Sequence, residues 1–456
     1  MLRLTWVQPE DLLGHELRQA VQDGREPSAI AERWKAAGGC EAPVRAGASP
    51  EPASRYLRLL AEDLLDELAD LPSRLAEHEP TDLARIVSLC PQWPSAPPAA
   101  PAPPAGLLPR LHAAWLGRAV GCLLGKPVEK LPLDGIRLLA HATGNWPLTT
   151  YFTARGLPAD LAAKYPWNRR SATTSLAENI DGMPEDDDLN YPLLNLLLLS
   201  RHGRHFTTVD VAALWLAELP AGRAFTAERI AYRNLLSGLE PPRAARHRNP
   251  FREWIGALIR ADVHGWTNPG DPAAAASQAY RDATLTHTAN GVYAAMFTAA
   301  VIAGAATGTH DVHACLRTGL SVVPPRSRLA EAVRHAIRLA EQTPDFDAVV
   351  DELHSVHATC HWVHAVPNTA LIAAALTHAD GDFSGSICRA VSGGWDTDSN
   401  GATAGSVAGL LAGGPEALPE RWTAPLKNRL ATSLAGFDGS GFDTLAQLTL
   451  QEATRP

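Results

Sequence analysis

The sequence lacks the features that would place it in a membrane, in a disulfide-stapled scaffold or around a thiolate metal. Its six cysteines, Cys40, Cys90, Cys122, Cys315, Cys360 and Cys388, are scattered over 456 residues with no C-x-x-C pair. That spacing suits reduced, intracellular thiols and gives no support to a cysteine zinc site. No uncharged run approaches the roughly 20 apolar residues a membrane helix needs; Leu193 to Leu199 is far too short. The first ten residues reach Pro9 and Glu10 without an apolar core of signal-peptide length. Positive charge is in deficit, 40 Lys and Arg against 49 Asp and Glu for a formal net charge of −9, which argues against binding driven by nucleic-acid phosphates. Period-two alternation, the signature of strands, is scarce, and no fixed-period repeat marks a solenoid. Together these absences predict an all-α, soluble, cytoplasmic protein with neither a nucleic-acid nor a membrane partner.

With 46% hydrophobic residues, the chain can bury a large core and has room for more than one domain. Residues 1–90 read as a small helical unit. Leu13, Leu17 and Val21 share one helical face, and Leu57, Leu60, Leu64, Leu68 and Leu71 another, opposite Glu62, Asp63, Asp66, Glu67 and Asp70. This unit shows no chemistry and reads as an accessory or partner-docking element. Residues 91–106, with seven prolines interleaved with alanine, read as a semi-rigid linker. From 107 to 456, Ala- and Leu-rich runs such as 289–306, 328–341 and 369–378 alternate with Gly, Pro, Asn and Asp loops. That pattern predicts one large helical domain.

Three stretches carry the chemistry. In Ser392-Gly393-Gly394-Trp395-Asp396-Thr397-Asp398-Ser399-Asn400-Gly401, acidic and hydroxyl oxygens crowd so closely that a cation or proton must neutralise them. Oxygen donors of this kind suit hard divalent ions such as magnesium or manganese. The second stretch, Pro184-Glu185-Asp186-Asp187-Asp188-Leu189-Asn190-Tyr191, runs into a segment apolar on all sides. Such a helix is expected to be buried, carrying its acidic end inward. The macrodipole favours carboxylates at a helix N-terminus, which accounts for two of them but not four. The third is Gly121-Cys122-Leu123-Leu124-Gly125-Lys126-Pro127-Val128-Glu129. Gly117, Gly121 and Gly125 repeat every four residues, as do Gly401, Gly405 and Gly409. The two glycine-faced helices are expected to pack closely and to bring Glu129 near Asp396. His354, His357, His361 and His364 fall at the spacing of one helical face, but no H-E-x-x-H or cysteine pair supports zinc.

These three stretches, in this order, resemble the ADP-ribosylglycohydrolase family, which includes the dinitrogenase-reductase-activating glycohydrolase. Supporting stretches are 286–297, 324–329 and 364–370. The resemblance covers 107–456 and leaves residues 1–105 outside. It implies an all-α bundle with a dinuclear magnesium or manganese site. By position, it implies metal ligands at Glu185, Asp186, Asp187, Asp396, Asp398 and Ser399, with Glu129 close to the ions. The family often has aspartate where this chain has Cys122. It has a threonine-led D-D-T where this chain has Glu185 and Asp188, and threonine where Ser399 stands. Those departures mark a divergent branch.

The implied activity is a metal-dependent glycohydrolase releasing ADP-ribose, or a related ribosyl group, from a modified protein or small molecule. Glycosidic cleavage passes through an oxocarbenium-like state, with Glu129, Asp186 or Asp187 as base toward the attacking water. Gly393 and Gly394 would let ribose or diphosphate approach the backbone, and Trp395 would stack on adenine, wall the pocket or belong to the core. His287, Asn290, His364 and Asn368 are further pocket candidates, with a hydrogen-bonded core histidine the other reading of His287. One alternative is hydrolysis of a small N-riboside or nucleotide; another is a non-catalytic ADP-ribose reader or scaffold of the same fold.

Overall fold

The computed structural model describes residues 3–40, 47–95 and 106–455. Among them the chain is all-α: helices and short 3-10 turns follow one another, and two isolated bridges, Met183 with Leu430 and Trp254 with His364, are its only β pairings. No described helix is long and apolar enough to cross a membrane. Most of the linker expected at 91–106 lies outside the described residues, which exclude 96–105.

Helices apolar on every side take the centre, because each face must be buried. Ala289–Ala305 is buried along nearly its whole length, as are Ala365–His378 and Thr397–Ala412. More amphipathic helices, such as Arg328–Gln342, pack around them with one buried face.

The tightest seam joins Leu107–Gly125 to Thr397–Ala412. The helices run antiparallel, and backbone meets backbone at each glycine. A Cβ placed on Gly121 would lie 1.9 Å from the Gly401 carbonyl oxygen, and one on Gly405 2.0 Å from that of Gly117. At Gly409 it would meet the Ala113 carbonyl at 2.3 Å. Only glycine permits this approach. The seam ends where Thr397 Oγ1 donates to the Gly125 carbonyl at 2.8 Å, so the start of one helix is pinned to the end of the other.

The N-terminal helices Pro9–Gln22, Ser28–Ala36, Arg55–Asp70 and Leu83–Leu89 share a core that is continuous with the rest. Leu64 and Leu68 are fully buried, as the sequence pattern requires, whereas Val21 points outward and is 62% exposed. Ion pairs clamp this unit down. Arg252 binds Glu16 and Asp23, each at 2.6 Å, Arg328 binds Glu79 at 2.6 Å, and Arg248 binds Glu62 and Asp66, each at 2.7 Å. The acidic side of the Arg55–Asp70 helix therefore faces an arginine of the larger domain.

Candidate active site

The glycine seam positions the first acidic group. Glu129 follows the short 3-10 turn Lys126–Val128 at the end of Leu107–Gly125, and Asp396 is the residue before Thr397–Ala412. One carboxylate oxygen each from Glu129, Asp396 and Asp398 lies within 4.8 Å of the others. Glu129 is oriented by Asn168 Nδ2, which donates at 2.7 Å, and by Lys130 Nζ at 2.8 Å. Asn368 holds the Asp396 loop from behind: its Oδ1 accepts from the Asp396 amide at 3.1 Å and from Asn400 Nδ2 at 2.7 Å.

A second group, Cys122, Asp186 and Asp188, meets the same distance limit. Asp186 caps Asp187–His202, accepting from the Asp188 amide at 2.9 Å. Inside that helix Pro192 has no N–H for the Asp188 carbonyl. Arg118, fully buried on Leu107–Gly125, supplies the donor, with Nε 2.6 Å from that oxygen. The same guanidinium reaches Asp188 Oδ1 at 3.2 Å, the Ile259 carbonyl at 2.6 Å and Asp262 Oδ2 at 2.7 Å. Two departures from the family pattern face each other here, since Cys122 Sγ lies 3.8 Å from Asp188 Oδ2. Ser399 Oγ donates to that oxygen at 3.4 Å.

Burial and mutual repulsion govern the charges. Burial, with Asp186, Asp398 and Glu129 behind it, holds Asp187 well above the ordinary carboxylate range. Asp396 is raised by burial and by Asp398 and Glu129. Asp398 is pushed up to about 7 by burial, Glu129 and Asp186. Asp188 is raised by burial and by Asp186, against the pull of Arg118. Asp186 alone moves down, because Lys126 outweighs its burial. Asp187, Asp396 and Asp398, buried oxygen donors with no ion pair of their own among the described residues, fit a hard cation.

The first group and, from the second, Asp186 open into one cavity of about 440 Å³, with Cys122 and Asp188 behind its lining. Glu129, Asp186, Asp187, Asp396, Asp398 and Ser399 line its acidic end, with Lys126, Lys130, Arg170 and Arg223 around them. Trp6, Phe225 and Trp362 form aromatic walls. Glu185 also lines the cavity, but its carboxylate is engaged by Arg223 at 2.6 Å, by the Ser433 amide at 2.9 Å and by Asn190 Nδ2 at 3.2 Å.

The other pocket candidates stand behind the cavity, not in its lining. Trp395, at φ +57°, stacks on His354 with ring centroids 4.2 Å apart, and His354 Nε2 lies 2.8 Å from the Gly393 carbonyl. Gly393 packs against Leu371, and Gly394 turns the loop at φ +79°. His287 is fully buried beside Thr286, its Nδ1 2.6 Å from Thr286 Oγ1. Asn290 Nδ2 donates to Glu253 at 2.9 Å, and His364 lies 3.6 Å from the same carboxylate. The histidine series does not share a helix: Phe346–Val356 stops before His357, and His361 stacks instead on Trp254 at 4.3 Å.

Sequence reasoning missed four contributors. Lys126 lies inside the third acidic-glycine stretch and Arg118 between Gly117 and Gly121, but neither carries a signal until its acidic partners are known. Glu253, 1% exposed, gathers Arg328, Asn290, His364 and, from the N-terminal unit, Gln19 at 2.8 Å. Trp6 comes from a segment read as devoid of chemistry.

Fold and site together define an all-helical protein with an acidic, cation-attracting pocket at the junction of two glycine-faced helices. Residues 103–454 match the family model ADP-ribosylglycohydrolase, and the chain belongs to that family. A solved structure described as an ADP-ribosylglycohydrolase-related protein complex is 22% identical, with 77% of this chain and 99% of that chain covered at a TM-score of 0.47. No curated protein matches the chain.

Proposed function

We propose that this protein is a metal-dependent glycohydrolase that removes ADP-ribose, or a related ribosyl group, from a modified protein or small molecule. The observation that carries the reading is the convergence of Glu129, Asp187, Asp396 and Asp398 at one end of a cavity whose flanks are cationic and aromatic. A ligand with a vicinal diol, a diphosphate and a flat base presents matching chemistry: hydroxyls for the acidic end, anionic oxygens for Lys130, Arg170 and Arg223, and a ring for Trp6, Phe225 or Trp362.

Asp396, Asp398, Asp187 and Ser399 would hold magnesium or manganese, which when bound polarises water and orients ribose hydroxyls. The chain's own part is to orient and deprotonate. Asp186 is engaged by Lys126 and by its own helix end, which leaves Glu129 and Asp187 as proton acceptors. Both line the cavity, Glu129 with its oxygens oriented by Asn168 and Lys130 and Asp187 without an ion pair among the described residues. Arg170 and Arg223 offset the charge of a departing or retained phosphate group.

The test is ribosyl release from ADP-ribosylated protein and from a panel of free nucleotides and N-ribosides, with and without chelator. Release that needs magnesium or manganese and disappears in Asp396→Ala and Asp187→Ala is expected. Product from free nucleotides alone would assign a small-molecule substrate. Ion binding without turnover of any of them would leave a reader, and the hydrolase reading would fall.

A further inference from the structure

The second acidic group already contains its cation. Lys126 is 7% exposed, and its ammonium is seated on Asp186. Of the central-motif ligands that the family resemblance implies, Glu185 faces Arg223 and Ser433, and Asp186 faces Lys126. Asp188 is taken up by Arg118, shared with Asp262. Only Asp187 remains without a direct cation partner among the described residues, and it opens into the cavity beside Asp396, Asp398 and Glu129.

From this partition we infer that the protein binds one divalent cation, not two, and that the Lys126 ammonium is the built-in second positive charge. The inference deepens the metal-dependent reading and rests on it. The ion's ligands come from Asp187, Asp396, Asp398 and Ser399, with Glu129 beside them. A second divalent ion at Asp186 would have to displace a buried ammonium. That would strand one charge without a partner and set like charges a few ångströms apart, a cost that grows as the surroundings exclude water. An ammonium also differs from an ion in what it offers substrate. Its three donors point where its stem allows, it exchanges no water ligand, and chelators do not remove it. Lys126 lines the cavity, so a ligand oxygen reaching the second position meets a hydrogen-bond donor instead of an open coordination site.

The experiment is metal counting on the full chain. Protein stripped with chelator is titrated with Mn2+ by calorimetry, and bound ions are counted after gel filtration and examined by electron paramagnetic resonance. One ion per chain with the spectrum of an isolated Mn2+ is expected for the unaltered protein. Lys126→Met, which keeps the stem and releases Asp186, is expected to bind a second ion and to show a coupled pair. Two ions in the unaltered protein would overturn the inference while leaving the metal-dependent reading intact. A Lys126→Met protein that folds, by circular dichroism, and still binds one ion would overturn the role given to Lys126. No bound ion in either protein would overturn both. If the variant does not fold, the stoichiometry of the unaltered protein decides alone.

Discussion

Adding one methyl group at Gly121 tests how far the site depends on the glycine seam. The new carbon of Gly121→Ala would sit 1.9 Å from the Gly401 carbonyl oxygen and 2.3 Å from its carbon. Ordinary non-bonded contact is about 3.5 Å, so the helices must part by roughly 1.5 Å. The obstacle is backbone, and no rotamer change can relieve it. Overpacking commonly costs about 1–3 kcal/mol; here about 3 kcal/mol or more is expected, since a gap of that size forfeits dispersion contacts along the whole interface. In a chain of this size that lowers Tm by about 3 °C. The same displacement separates Glu129 from Asp396 and Asp398, whose oxygens now lie within 4.8 Å of one another. Affinity for Mn2+ should therefore drop about tenfold, about 1.4 kcal/mol. The control is Gly222→Ala, where an added Cβ meets nothing within 4 Å. Thermal melting and Mn2+ calorimetry on both variants decide the matter. A Gly121→Ala protein within 1 °C of the control and with undiminished Mn2+ affinity would refute the reasoning. The pair Gly121→Ala with Gly401→Ala should cost less than the sum of the single changes, because the first already parts the helices.

Two further expectations follow from charge and from the N-terminal unit. In chelator, stability should fall as pH rises from about 4 through 7: the folded protein retains the Asp398 proton up to about 7, while the unfolded chain releases it near 3.9. For Asp398 alone the gap of about three pH units corresponds to about 4 kcal/mol. The raised carboxyls of Asp187, Asp188 and Asp396 act in the same direction. Urea midpoints in chelator at pH 5.5 and pH 8 measure this, with Mn2+ expected to restore stability at pH 8; a midpoint that climbs with pH in chelator contradicts the charge assignment. Trp6→Ala should weaken ADP-ribose binding several-fold while leaving Mn2+ affinity unchanged, and Trp6→Phe should keep most of it. Equal ADP-ribose affinity in all three proteins would remove Trp6 from the pocket wall.

What was legible in the sequence had local causes. Helical periodicity made the fold class readable, because apolar spacing and glycine register are properties of single segments. The i, i+4 glycines at 117, 121 and 125 and at 401, 405 and 409 even implied which helices meet, since two small-residue faces pack best on each other. The acidic blocks were visible because four consecutive carboxylates have few other uses. The partition of those carboxylates was not visible. Nothing in Glu185-Asp186-Asp187-Asp188 says that the first turns to Arg223, the second to Lys126 and the fourth to Arg118, leaving one open. Each choice is made by a residue at least 38 positions away. Gly393, Trp395, His287, Asn290, His364 and Asn368 resembled pocket residues in sequence because they are polar or flexible beside the motifs. In three dimensions Asn368 holds the Asp396 loop, Asn290 and His364 contact Glu253, Gly393 and Trp395 contact His354, and His287 is a buried histidine beside Thr286.

That hub ties the first ninety residues to the larger domain. Read alone, they show amphipathic helices and no reactive group, and an accessory role follows. Yet Gln19 donates to Glu253, the carboxylate on which Arg328, Asn290 and His364 converge. Arg328 answers in turn to Glu79, so the unit and the larger domain share one buried ionic network. Trp6 packs edge-on against Phe251 and Trp254, at 5.2 and 5.6 Å, and Trp254 stacks on His361. Thr5 is tied to Arg229 through its carbonyl and hydroxyl oxygens, at 3.0 and 2.9 Å. Breaking one partner of a buried ionic network strands the other in a medium that cannot solvate it. The N-terminal unit therefore cannot leave without exposing part of the wall of the cavity and unpairing the charges that brace its loops. In this chain the region that the family model does not cover completes the pocket of the region that it does.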